Sequence, residues 1–239
     1  MDPIPSLVPT GIAVDVEPVR LRGADGPLAG IEARPAGLDP ETAILFVHEN
    51  RGLVPYMWEV VEALASLGHR VVAPDLLSRL GGTDAAGADI TTRRIPVEAH
   101  LADLTAVADA LATTVGRWAV VGFCFGAEMG WHLVCERDPT TAVLLYGIGR
   151  GAEESAGIRC PVYAVYAEDD ERVNSTLDPT LAGLRRGSSD YVVESYPRTR
   201  HAFHDHHRPD RFHPDAAVEV WRRITWFLDR NLGEAGNPG

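Results

Sequence analysis

Ala119-Val120-Val121-Gly122-Phe123-Cys124-Phe125-Gly126-Ala127-Glu128-Met129-Gly130 decides how this chain is read. The stretch opens as the end of a buried strand, Trp118 to Val121, and breaks at the glycines. It then continues in helix-compatible residues to about Glu136. A G-x-C-x-G pattern at a strand-to-helix turn is the thiol counterpart of the G-x-S-x-G nucleophile elbow. In such a turn the nucleophile's backbone is strained. The glycines two positions to either side, Gly122 and Gly126, must lack a Cβ for strand and helix to approach. The turn also presents the Cys124 sulfur at a helix N-terminus, where unsatisfied N–H groups and the helix dipole favour a thiolate. A small core cysteine in a glycine-punctuated turn is the plain alternative, so the rest of the chain must supply the partners.

Working outward, strand and helix patterns alternate. Ile12–Leu21 and Gly30–Arg34, separated by the turn residues Asp25-Gly26-Pro27, predict an antiparallel edge pair. Ala43–Val47 is a continuous apolar run, as in a strand covered on both faces. A helix follows over about Tyr56–Leu67, with Trp58, Val61, Leu64 and Ala65 at helical spacing and Gly68 as its stop. Further strands are expected at Arg70–Ala73, Ala142–Tyr146, Pro161–Tyr166 and Tyr191–Tyr196. Helices are expected over Pro96–Thr114, near Ser175–Arg185 and over Pro214–Asn231. Gly81–Asp89, rich in Gly and Ala, reads as a surface excursion near the site. The alternation implies right-handed βαβ units and an α/β fold, a mostly parallel, doubly wound sheet with helices on both faces. No internal repeat or linker divides the chain, so residues 1–239 read as one domain with loose termini at 1–11 and 234–239.

Composition narrows the function. At 45% hydrophobic content, 239 residues can bury one large core. The 34 acidic residues outnumber the 22 basic ones, for a net charge of −12, which argues against nucleic-acid and membrane-surface roles. A small anionic substrate remains compatible, because a pocket's local field can oppose the global charge. Three cysteines, Cys124, Cys135 and Cys160, are odd in number and lack metal-type spacing, which fits free thiols in a reducing compartment. Met1–Arg20 lacks the basic start and apolar run of a signal peptide, and no apolar stretch reaches the length of a membrane span. The expectation is a cytoplasmic protein. No G-x-G-x-x-G follows a strand and no phosphate loop with its Lys is present, so no cofactor is expected.

A thiol nucleophile needs an imidazole to handle its proton and a carboxylate to orient that imidazole. Asp170 follows the strand Pro161–Tyr166, and His201 follows Tyr191–Tyr196, both just past carboxyl ends of strands, where open α/β sheets build their sites. The order Cys124, Asp170, His201 is that of the α/β-hydrolases. Asp169 remains the rival acid.

At this point the chain resembles the dienelactone hydrolase family of α/β-hydrolases, the carboxymethylenebutenolidases. Four patches carry the likeness: His48-Glu49-Asn50-Arg51-Gly52, Gly122-Phe123-Cys124-Phe125-Gly126, Tyr166 to Val173 around Glu168-Asp169-Asp170, and Arg200-His201-Ala202-Phe203. The resemblance implies a single-domain α/β-hydrolase fold with Cys124 as nucleophile, His201 as base and Asp170 as acid. It implies that Glu49 is a further carboxylate able to assist ionisation of the cysteine once substrate disturbs its salt bridge, with Arg51 or Arg79 as partner. Backbone N–H groups of Phe125 and Asn50 would form the oxyanion hole. Arg79 matches an arginine that binds a substrate carboxylate, and Arg51 is a second candidate for substrate. The family's other such arginine, four residues after the histidine, is replaced here by Asp205, which makes an ester or lactone other than dienelactone plausible.

Phe123, Phe125 and Phe203 flank the proposed catalytic groups, as pocket lining or as packing. Trp58, Trp131, Trp221 and Trp226 fall at apolar helical positions, where core is the more common fate. His204, His206, His207 and His213 cluster with Asp205, but their spacing matches no standard zinc pattern and a thiol hydrolase needs no metal, so they read as a polar rim. The expected protein is a hydrolase of small esters or lactones acting through a thioester. A general carboxylesterase or acyl transferase, or an idle scaffold that only binds, are the alternatives. The oligomeric state is not legible.

Overall fold

The computed structural model describes residues 12–86, 91–187 and 190–233. The expected loose termini lie outside these residues, as does the end of the Gly81–Asp89 stretch. The chain begins with β1 (Val14–Arg22) and β2 (Pro27–Pro35), an antiparallel hairpin longer than the periodicity indicated. Next come β3 (Thr42–Val47), α1 (Pro55–Ala65) and β4 (Arg70–Pro74). A short α2 (Thr83–Ala86) precedes α3 (Val97–Ala112), β5 (Arg117–Phe123), α4 (Phe125–Glu136) and β6 (Thr141–Leu145). The last part holds α5 (Ala152–Ser155), β7 (Val162–Asp169), α6 (Glu171–Asn174), α7 (Leu177–Arg186), β8 (Tyr191–Arg200) and α8 (Pro214–Leu232). All eight strands form one sheet in the order β1-β2-β4-β3-β5-β6-β7-β8. Only the β1–β2 and β2–β4 pairings are antiparallel; β4 through β8 run parallel.

The strand sequences explain why the sheet is covered on both sides. Successive side chains of a strand point to opposite faces. In β3, Ile44 and Phe46 pack with Val60 and Leu64 of α1 and with Trp221 and Ile224 of α8. Ala43, Leu45 and Val47 join Leu104 and Val107 of α3 and Met129 and Trp131 of α4 on the other face. β5 divides in the same way, with Ala119 and Val121 on the first face and Trp118 and Val120 on the second. A strand apolar at every position therefore serves two cores, which is what the run at Ala43–Val47 required.

Two tryptophans depart from expectation. Trp131 and Trp221 are core, whereas Trp58 and Trp226 are each 38% exposed. Trp226 instead lies beneath the Arg223 and Arg230 guanidiniums, 4.7 and 5.6 Å from its ring centre, where the ring face attracts cations. Among the described residues no helix is long and apolar enough to cross a membrane.

Candidate active site

Parallel strands β3, β5, β6, β7 and β8 end on one edge of the sheet, and the loops after them build the site. At the end of β5, Cys124 adopts φ 56° and ψ −115°, a conformation costing about 1–3 kcal/mol unless its surroundings hold it. Its N–H donates to Leu145 O at 3.0 Å, and its carbonyl accepts from Ala127 and Glu128 N–H, each at 3.1 Å. These bonds pin the turn between β6 and the first turn of α4. The flanking glycines have separate reasons. A Cβ on Gly122 would stand 2.3 Å from Gly126 O, and one on Gly126 would stand 1.9 Å from Val47 O of β3. Both approaches are far inside van der Waals contact, so strand, turn and helix close only around glycine.

β8 runs to Arg200, four residues past the expected end, through a register shift opposite Ala167–Asp169. This longer strand delivers His201 directly opposite Asp170, the residue after β7. His201 Nδ1–H donates to Asp170 Oδ2 at 2.5 Å, and Cys124 lies near enough to the ring to act on its protonation. Burial by itself would lower the imidazole's pKa. The bond to Asp170 and the influence of Cys124 outweigh it and raise the value to about 9. Asp169 is exposed and opposes Arg200 in the ladder, so the structure gives the imidazole contact to Asp170.

Glu49, in the loop after β3, is buried. Both of its carboxylate oxygens accept from Arg208 Nη2, at 2.7 and 2.6 Å. Arg208 also holds Asp205 through Nε at 3.1 Å. Burial pushes the Glu49 carboxyl above its usual range, opposed chiefly by Arg208. The partner of Glu49 is thus neither Arg51 nor Arg79. Arg51 is exposed and acts on Glu49 only through its charge. Arg79 is engaged elsewhere, with Nε and Nη2 on Asp103 at 2.8 and 3.0 Å and Nη2 on Asp25 at 3.0 Å. Arg208, seven positions after the histidine, was missed because its motif position is held by Asp205. A scan for any arginine in the following loop would have found it.

His48 fixes the loop that carries Glu49 and Asn50. Its Nε2 accepts from Leu76 N–H at 2.9 Å, so its Nδ1 carries the proton and donates to Glu49 O at 2.6 Å. Burial holds this ring neutral. The Asn50 carbonyl accepts from Thr92 N–H at 2.9 Å. Phe125 begins α4, where backbone N–H groups lack helical acceptors. Phe203, expected to meet substrate, is fully buried and packs on Tyr196 with ring centres 5.1 Å apart. Phe123 and Phe125 are likewise buried packing residues.

Behind the imidazole lies a buried polar chain that sequence reading did not reveal. The Tyr146 ring is 4.8 Å from that of His201, and its hydroxyl hydrogen-bonds His204 Nε2. Tyr56 O–H donates to His204 O at 2.9 Å and accepts from His204 Nδ1 at 2.5 Å. That leaves Nε2 to accept from Tyr146. Burial, first among the causes, lowers the His204 pKa to about 3, so this histidine is a neutral structural link and not a rim residue.

The parallel sheet, its antiparallel leading hairpin and the cysteine elbow define an α/β-hydrolase. The model of the dienelactone hydrolase family matches residues 28–232, and the chain belongs to that family. A carboxymethylenebutenolidase of Rhodococcus opacus is 24% identical over 95% of both chains. A candidate carboxymethylenebutenolidase of Methylorubrum extorquens is 28% identical over 87% of this chain and 79% of its own length. Among solved structures, a dienelactone hydrolase-like promiscuous phosphotriesterase from metagenomic libraries superposes with a TM-score of 0.79. It is 22% identical over 92% of this chain and 99% of its own. Membership of the family makes the protein a hydrolase acting on ester bonds.

Proposed function

We propose that the protein hydrolyses small esters or lactones by way of a thioester on Cys124. One observation carries the reading: Cys124, on a strained elbow, stands beside His201, whose ring is hydrogen-bonded to Asp170. The Cys124 sulfur attacks the substrate carbonyl carbon, and the oxyanion is met by the N–H groups of Phe125 and Asn50. Each such donor is worth about 3–4 kcal/mol of barrier. His201, which holds its proton up to about pH 9, gives it to the departing alkoxide, and the thioester remains. The neutral imidazole then takes a proton from water, whose oxygen attacks the thioester carbonyl and expels the sulfur.

Glu49 serves as acceptor for the cysteine's own proton. Burial already biases this carboxyl toward protonation, and Arg208 holds it ionised. A substrate carboxylate that engages Arg208 removes that restraint and frees Glu49 to take the proton. This makes Arg208, not Arg79, the substrate-carboxylate arginine, and it favours small esters or lactones bearing a carboxylate. The thioester is also open to attack by an alcohol, which is the acyl-transfer alternative. Free cysteines fit a reducing, cytoplasmic setting.

The test is turnover by the purified protein of a dienelactone, of a neutral aryl ester and of that ester with competing alcohols. Dienelactone cleavage faster than aryl-ester cleavage, with acid as the product, is expected. Turnover of neither substrate would remove the proposal.

A further inference from the structure

We infer that Glu59, His206 and His207 form a binding site for a single divalent transition-metal ion of the zinc type, away from the proposed nucleophile. Glu59 lies on α1, and the two histidines lie in the turn between His201 and α8. One ligand atom from each of the three falls within 4.8 Å of the others. Glu59 Oε2 is 3.2 Å from His206 Nε2, and Oε1 is 2.9 Å from His207 Nε2. Imidazole nitrogen and carboxylate oxygen each bind zinc at about 2.0–2.2 Å, so two such ligands on a tetrahedral ion stand roughly 3.3 Å apart. The two carboxylate–imidazole separations lie near that edge, each to a different oxygen of Glu59, and imidazole with carboxylate suits a borderline divalent ion.

The two imidazoles are held before any ion arrives. His207 N–H donates to Asp205 Oδ1 at 2.9 Å, and Arg208 N–H donates to Asp205 O at 3.0 Å, which sets the turn. The Tyr56 ring lies against both imidazoles, with centres 5.3 and 5.7 Å away. The His206 ring is mostly buried, with Nε2 aimed at Glu59 and Nδ1 without a protein partner. Glu59 and His207 are 42% and 41% exposed, which leaves the remaining coordination positions open to water. The charge of the neighbouring Arg208 is countered by Glu49 and Asp205. The clustered histidines of the sequence matched no zinc spacing because the third ligand comes from a helix nearly 150 residues earlier. An ion here clips α1 to the turn that carries Arg208.

The experiment is calorimetric titration with Zn2+, using the Cys124→Ser protein so that the proposed nucleophile does not compete for the ion. One ion per chain is expected, with a rise in melting temperature. Glu59→Gln and His207→Ala should each weaken binding by at least about tenfold and abolish the rise, while His213→Gln leaves both unchanged. Glu59 and His207 are half-exposed, so both variants should fold, which circular dichroism checks. Binding only at millimolar Zn2+, or micromolar binding that survives both ligand variants, would overturn the assignment. So would loss of the binding in Cys135→Ser.

Discussion

At the scale of single residues the account rests on what each side chain touches. Cys124→Ala should reduce kcat/KM for an ester by at least about a thousandfold, since nucleophile and base act as one unit. Asp170→Asn leaves the imidazole without its carboxylate and should cost about 10²–10⁴ in kcat, measured in steady state. Glu49→Gln removes the proposed proton acceptor and should lower kcat/KM by about a hundredfold, with the fold intact by circular dichroism. The strand-end positions of Cys124, Asp170 and His201 were legible because an elbow and two strand ends place them whatever the surrounding loops do. Arg208 was not. Its contact with Glu49 depends on a turn that swings it back, and that turn is set by the bonds from His207 and Arg208 N–H to Asp205. Arg79 looked available for the opposite reason, because nothing local reveals Asp103, which lies 24 residues later on α3.

At the scale of elements, the elbow works only if β3, β5 and α4 meet without side chains between them. Gly126→Ala would drive a Cβ into the Val47 carbonyl and should destabilise the fold by about 3 kcal/mol, seen as a lower urea midpoint. The larger strand and helix pattern was readable because period-2 and period-3.6 burial operate along each segment. The ends of β7 and β8 were not, because residues 167–200 pair through a bulge that exposed, polar residues do not announce. That extension matters to the proposed function. It places His201, the first residue after β8, opposite Asp170. The fate of Trp58 and Trp226 was illegible for a similar reason, since helical spacing says which face a residue shares but not how far the covering elements reach.

At the scale of the whole molecule, His201 links the site to stability. Its folded pKa, about 9, lies above its ordinary value of 6.5. The protonated form is therefore favoured by folding. That stabilisation is complete below about pH 6.5 and is lost as the pH rises through about 9. It amounts to ~3 kcal/mol for one group. Chemical unfolding of the wild type should show stability declining across that window, and His201→Gln should flatten the decline. The sheet of β1–β8 places every proposed catalytic group on one edge, and the central claim is that the sulfur there does the chemistry. The most direct measurement is steady-state hydrolysis of an activated aryl ester by the wild type and by Cys124→Ala, at equal folded concentration. The account predicts turnover by the wild type and a loss of at least about a thousandfold in the variant. A variant within about threefold of the wild type would contradict it and move the nucleophile elsewhere.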